Sequence, residues 1–240
     1  MILKELTADE LGTRLSGLWS RIEAAAKRSG RTRDAIKLIC VSKTHPAEVV
    51  RAAMEAGVTD LGENRVQEAE PKIGELGRDA ATWHLIGHLQ SNKARRAVQL
   101  FEVIHSIDSV GLVEKLDRAC ADLNRKELPV LIQVDLGHET TKSGAEEAEL
   151  PDLAAAVSGS EHLKLIGFMT LPPFFDDAEA TRPFFAKLRE LRDAYQQRGV
   201  FGASQGELSM GMTHDFEVAI EEGATMVRIG TAIFGAREAA

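Results

Sequence analysis

Lys43 stands at the end of the apolar run Lys37 to Ser42 and is followed at once by Thr44, His45 and Pro46. An ammonium group at the exit of a buried strand is costly unless it is paired, neutralised through a lowered pKa, or used as an amine toward a carbonyl. Two segments near the C-terminus carry complementary chemistry. Ser209-Met210-Gly211-Met212-Thr213 runs into the helical pattern His214 to Val218, and Arg228-Ile229-Gly230-Thr231 precedes Ala232-Ile233-Phe234-Gly235. Glycine lets backbone amides approach an anion closely, hydroxyls add donors, and a helix start adds partial positive charge. The two segments therefore read as an anion cradle, the bland alternative being tight turns at Gly211 and Gly230. An amine beside such a cradle suits Schiff-base chemistry on a phosphorylated carbonyl compound.

These side chains need a scaffold that gathers them. After an amphipathic helix from Asp9 to Arg28, eight apolar segments alternate with charged stretches of helical period. They are Lys37 to Ser42, Thr59 to Gly62, Trp83 to Gly87, Glu102 to Ile107, Val130 to Leu136, Leu163 to Met169, Leu208 to Gly211 and Met226 to Ile229. Eight β-then-α units predict a single α/β domain over residues 1–240, a (β/α)8 TIM-type barrel with an extra N-terminal helix. A doubly wound open sheet uses the same alternation, so the barrel rests on the count. Helix signals agree with it: Pro46 opens Ala47 to Ala56, Ser109 caps Leu112 to Lys126, and Pro183 opens a helix reaching Arg198.

A barrel carries its active site at the C-terminal ends of its strands. The residues there are Lys43, Asn64, His84 to His88, Asp108, Asp135, Met169 with Thr170, Ser209 with Gly211, and Arg228 with Gly230 and Thr231. Alternate strand residues face the interior, so an inward Lys43 carries Val41 and Ile39 with it and leaves Cys40 and Ser42 facing the helices. Arg228 shares its face with Met226 and Gly230, and Ser209 with Gly211. An amine, a guanidinium and an anion cradle in one mouth match the needs of pyridoxal 5'-phosphate: a held phosphate, a captured aldehyde and a partner for the ring nitrogen. With Arg228 as that partner, a fixed cation opposes protonation of the pyridine nitrogen and weakens the ring as an electron sink. A Schiff-base aldolase acting on a sugar phosphate is the competing reading, and it leaves Arg228 without a task.

Several ordered motifs then point further: Val41-Ser42-Lys43-Thr44, Gly62-Glu63-Asn64 with Val66-Gln67-Glu68, Trp83 to Gly87 with Leu89 to Lys93, Glu139 to Gly144 as E-x-x-K-x-G, Ser209 to Met212 with Asp215, and Met226 to Thr231 with Ile233-Phe234-Gly235. Over nearly the whole chain they resemble the YggS/PROSC family of pyridoxal phosphate homeostasis proteins, which look like the N-terminal barrel of alanine racemases. The resemblance implies an internal aldimine on Lys43, Arg228 near the pyridine nitrogen, Ser209, Gly230 and Thr231 around the phosphate, and Asn64 and Met169 beside the ring; the cradle reading adds Gly211 to the cofactor-binding set. Thr213 stands where the family usually has serine, and Asp135 where asparagine is frequent. The implied role is buffering or delivery of the cofactor, with apo pyridoxal-phosphate enzymes as candidate partners and no catalytic residue assigned. A weak amino-acid racemase is the alternative. Alanine racemases add a β-domain whose tyrosine is the second acid/base, whereas this sequence runs only to Ala240 and its one tyrosine, Tyr195, falls in a predicted outer helix.

Composition narrows the partners. With 29 basic and 37 acidic residues the chain carries a net charge of -8, which argues against nucleic acid; Lys93-Ala94-Arg95-Arg96 reads as a solvated helix face. Two cysteines without close spacing, no apolar run long enough for a membrane span and no signal-peptide pattern predict a cytoplasmic protein, monomer or weak dimer. His84 and His88 lie far apart on a strand without a carboxylate, so no metal site is expected. Glu139-Thr140-Thr141-Lys142 is either a solvated loop or a segment over the cofactor, and Pro172-Pro173-Phe174-Phe175 either a packed loop or a lid or interaction surface.

Overall fold

The computed structural model describes residues 6–137 and 143–235. Eight strands, β1 Lys37–Val41, β2 Asp60–Glu63, β3 Thr82–Leu85, β4 Val103–Ile107, β5 Leu128–Val134, β6 Leu163–Thr170, β7 Glu207–Ser209 and β8 Met226–Ile229, pair in chain order and close into a barrel. Every pairing is parallel, including β8 on β1. This is the (β/α)8 barrel that the eightfold alternation predicts. The helices are α1 Ala8–Arg28, α2 Ala47–Glu55, α3 Val66–Leu76, α4 Ala94–Leu100, α5 Val110–Asp122, α6 Leu150–Ser158, α7 Arg182–Gln197, α8 Phe216–Glu221 and α9 Thr231–Phe234. Among the described residues no helix is long and apolar enough to cross a membrane.

The extra helix α1 is fastened by local and long-range contacts. Thr7 and Glu10 form a reciprocal capping box at its start, and Leu11, Leu15, Leu18 and Ile22 bury one face at helical spacing. Its polar side straps the barrel seam: Arg14 donates to the Ile233 carbonyl at 2.8 Å, and Arg21 to Glu217 at 2.9 and 3.0 Å. The strand ends differ from expectation where glycine turns the chain. β7 stops at Ser209 rather than Gly211, because Gly211 takes φ +91 and its missing Cβ would lie 2.6 Å from Ala219 on α8.

Strand alternation sorts side chains into two shells. Leu38, Cys40, Leu61 and Trp83 join the main core beneath the helices, whereas Val103, Leu131 and Met169 cluster separately. Bulky aliphatic residues usually fill a barrel lumen. Here the buried set also holds His84, His105, Gln133, Ser209 and Arg228. On β6, a Cβ added to Gly167 would fall on the backbone of Glu207 in β7. Gly167→Ala is expected to cost about 2 kcal/mol or more, read as a lower urea midpoint. An unchanged midpoint would show that the two strands part there freely.

Candidate functional site

Lys43 sits just beyond β1 on a turn whose next residue, Thr44, has φ +68, a strained conformation for a β-branched side chain. The turn is pinned from behind. Ser42 donates its amide to the Gly62 carbonyl at 3.0 Å and its hydroxyl to Glu63 Oε1 at 2.6 Å. Lys72, on α3, donates to that same carboxylate oxygen at 2.6 Å and to the Ser42 carbonyl at 2.8 Å. The exits of β1 and β2 are thus tied together, which orients both Lys43 and Asn64. Lys43 is itself half-buried, and the buried ammonium of this region is Lys72. Burial pushes the Glu63 carboxyl upward, against the opposing pull of Lys72 and Ser42.

Across the barrel seam, Arg228 pairs with Ile39 and is 3% exposed. Its Nη1 donates to Ser209 Oγ at 2.6 Å and its Nη2 to the Thr170 carbonyl at 2.8 Å. Burial pushes the guanidinium down to about 10 while Asp215 pulls it back up, so it stays cationic at neutral pH. Two residues on, just past the end of β8, a Cβ on Gly230 would meet the Val41 carbonyl oxygen at 3.1 Å and the Val41 Cβ at 3.3 Å. Only glycine lets this exit close so tightly on β1. Thr231 then opens α9, and the His45 ring stacks on Phe234 with centroids 4.8 Å apart. Asp215 accepts from the Met212 amide at 2.6 Å and so shapes the loop after β7.

The structure therefore brings Lys43, Gly211, Arg228, Gly230 and Thr231 to the mouth over β7, β8 and β1. Asn64 joins them after β2, with Gly87 pressed so closely against its backbone that a Cβ would overlap it. Met169 is fully buried in the lumen with Val103 and Leu131. Ser209 lies deeper than expected. It pairs with Met226, two residues before Arg228, and its buried hydroxyl meets Arg228 and His105 rather than the mouth.

Other candidates disperse. His88 contacts Asp108 at 3.0 Å on the surface, Asp135 accepts from the Gly137 amide, and Arg95 and Arg96 pair with Asp122 and Glu70. Phe174 is exposed with its ring 5.5 Å from His214, while Pro172 is buried. Glu139 to Lys142 lie outside the described residues. Sequence reasoning missed His105, although its alternation with Val103 marks it as a lumen residue. It also missed the role of Lys72, which no local pattern signals.

The model of the alanine racemase N-terminal domain matches residues 15–238. A pyridoxal phosphate homeostasis protein of Aquifex aeolicus (strain VF5) is 44% identical over 225 residues, covering 94% of this chain and 97% of that protein. The chain belongs to the pyridoxal phosphate homeostasis protein family. Among solved structures similar to this homeostasis-family barrel, a protein of unknown function from Bifidobacterium adolescentis superposes with a TM-score of 0.86 at 35% identity, over 97% of this chain and 98% of that one. PipY of Synechococcus elongatus PCC7942, solved with pyridoxal phosphate bound, gives 0.78 at 39% identity, over 94% and 100%.

The tie behind Lys43 is open to test. Lys72→Met leaves the Glu63 carboxylate buried without its counter-charge, a loss of about 3 kcal/mol at neutral pH. The buried carboxyl has a folded pKa above its unfolded value, so the variant keeps its stability below about pH 4 and loses it as pH rises through the folded pKa. Urea midpoints across this range should diverge from wild type toward higher pH; a constant difference would contradict the assignment.

Proposed function

We propose that this protein binds pyridoxal 5'-phosphate reversibly through Lys43 and serves to hold the cofactor and hand it on within the cell. The observation that carries the proposal is the arrangement across the β1 and β8 seam: a half-buried amine at Lys43, a buried cation at Arg228, and at Gly230 a backbone exit that any side chain would crowd. These residues fit the group in the chemistry they offer. Family membership supports the same reading, as does the bound cofactor of PipY.

Bound, the cofactor supplies an aldehyde carbon and an electron-withdrawing pyridine ring. Lys43 Nζ forms a C=N bond to that carbon with loss of one water, and addition of water reverses the step. Arg228, a permanent cation toward the ring nitrogen, opposes its protonation and so restrains the ring as an electron sink. We assign Gly211, Gly230 and Thr231 to the phosphate, Asn64 to the side of the ring and Met169 to the floor beneath it. Ser209 acts through Arg228. The restraint favours a carrier over a racemase, and Tyr195, on α7 with its ring against Phe168 at 5.2 Å, stands on the outer side of the barrel. We read residues 1–240 as one barrel domain, with apo pyridoxal-phosphate enzymes as recipients. The buried free cysteines Cys40 and Cys120 suit a reducing, cytoplasmic location.

Adding pyridoxal phosphate to the protein should produce a near-ultraviolet to visible absorbance band, and borohydride should then fix the cofactor on Lys43 in a peptide mass spectrum. Lys43→Ala should abolish both; a wild-type protein that stays colourless overturns the proposal. A second expectation separates carrier from racemase. Amino acids incubated with the loaded protein in deuterated water should gain no deuterium at the α-carbon, and rapid uptake would favour the racemase.

A further inference from the structure

Polar side chains cross the lumen from the N-terminal end of the barrel to its mouth. At the bottom, Asp60 Oδ1 accepts from Lys37 Nζ at 3.0 Å and lies 3.0 Å from His84 Nε2, while Asp60 Oδ2 accepts from the Thr59 hydroxyl at 2.9 Å. His84 Nδ1 lies 2.9 Å from His105 Nε2, and His105 Nδ1 lies 2.9 Å from Ser209 Oγ. Ser209 Oγ in turn receives Arg228 Nη1 at 2.6 Å. His84, His105 and Ser209 are at most 1% exposed.

The two ends dictate the direction of every bond. A guanidinium only donates, so Ser209 Oγ accepts from Arg228 and turns its own proton to His105 Nδ1. A carboxylate only accepts, so His84 donates from Nε2 to Asp60. The remaining bond then runs from His105 Nε2–H to His84 Nδ1, with both rings neutral. Burial agrees, holding both imidazoles below their ordinary range, His105 the more so. Asp60 is kept anionic: burial works to raise its pKa, but the bonds and charges of His84 and Lys37 hold it down at about 2. A chain running one way from cation to anion polarises each link in the same sense. Aliphatic side chains would fill this lumen at lower cost.

We propose that Asp60, His84, His105 and Ser209 are positioning residues forming a one-directional hydrogen-bond relay, through which an anion at the bottom of the barrel orients Arg228 and moderates its charge toward the ligand in the mouth. The ligand part rests on the reading of the mouth as a pyridoxal phosphate site. Loss of the Asp60 charge makes Ser209 Oγ a weaker acceptor and leaves the Arg228 cation less compensated, so the hold on the cofactor loosens from a residue that never touches it.

Two arms test this. In the protein without cofactor, nitrogen NMR of the histidine rings at about pH 6, below the ordinary imidazole pKa, should show His84 and His105 as neutral Nε2–H tautomers. Asp60→Asn, which keeps the shape and an acceptor, should move the His105 Nδ1 signal as well as those of His84. A charged His105, an Nδ1–H tautomer, or a shift confined to His84 overturns the relay. In the loaded protein, Asp60→Asn should speed release of pyridoxal phosphate to an apo-enzyme by about 3–10-fold, and in a His105→Leu background it should add nothing. Independent, multiplying effects overturn the coupling; Ser209→Ala takes the second position if His105→Leu does not fold. A wild-type protein that takes up no cofactor sinks the functional reading, and the NMR arm still decides the relay.

Discussion

Closure of β8 onto β1 is the constraint on which the site depends. The pairing of Ile39 with Arg228 brings one end of the chain against the other, and Gly230 lets the two exits meet at van der Waals distance. Without that seam Lys43 and Arg228 belong to unrelated strands. Closure also removes both sheet edges, so the same contact that completes the hydrogen-bonded ring assembles the mouth. Helix α1 reinforces it from outside, bonding to Ile233 and Glu217 beyond the strands it covers.

Around the seam, each buried cation meets an acceptor. Lys72 meets Glu63 and the Ser42 carbonyl behind the Lys43 turn, and Arg228 meets Ser209, the Thr170 carbonyl and the field of Asp215. Buried charges of this kind cost more than apolar packing, and here the cost is not fully offset: Glu63 Oε1 takes both Ser42 and Lys72, while Oε2 is buried without a hydrogen-bond partner. The expense falls on residues that orient Lys43 and Arg228 rather than on those two alone. Rigid support of this sort suits a site that must grip a ligand without distorting it, and the strained Thr44 turn holds the amine up to the mouth.

Much of this was legible in the residues taken one after another. The alternation of apolar segments with helical stretches determined the barrel, since periods of two and 3.6 are local properties. Strand parity likewise determined that Arg228, Met226 and Gly230 share a face, and glycine with hydroxyl residues after the last two segments marked the mouth. The limits of that logic show in individual residues. Parity put Ser209 on the inner face correctly but said nothing of its depth, which depends on how β7 slides against β8.

Sequence alone thus determined the element order and the inward faces, because each follows from neighbours within a turn or a strand. Tertiary structure decided that Lys43 is half-buried while Lys72 carries the buried charge, that Ser209 serves Arg228 from below, and that His84 meets His105 between Asp60 and the mouth. Those relations depend on register around a closed barrel. Register is fixed by all eight strands together, so no single segment of the chain contains it.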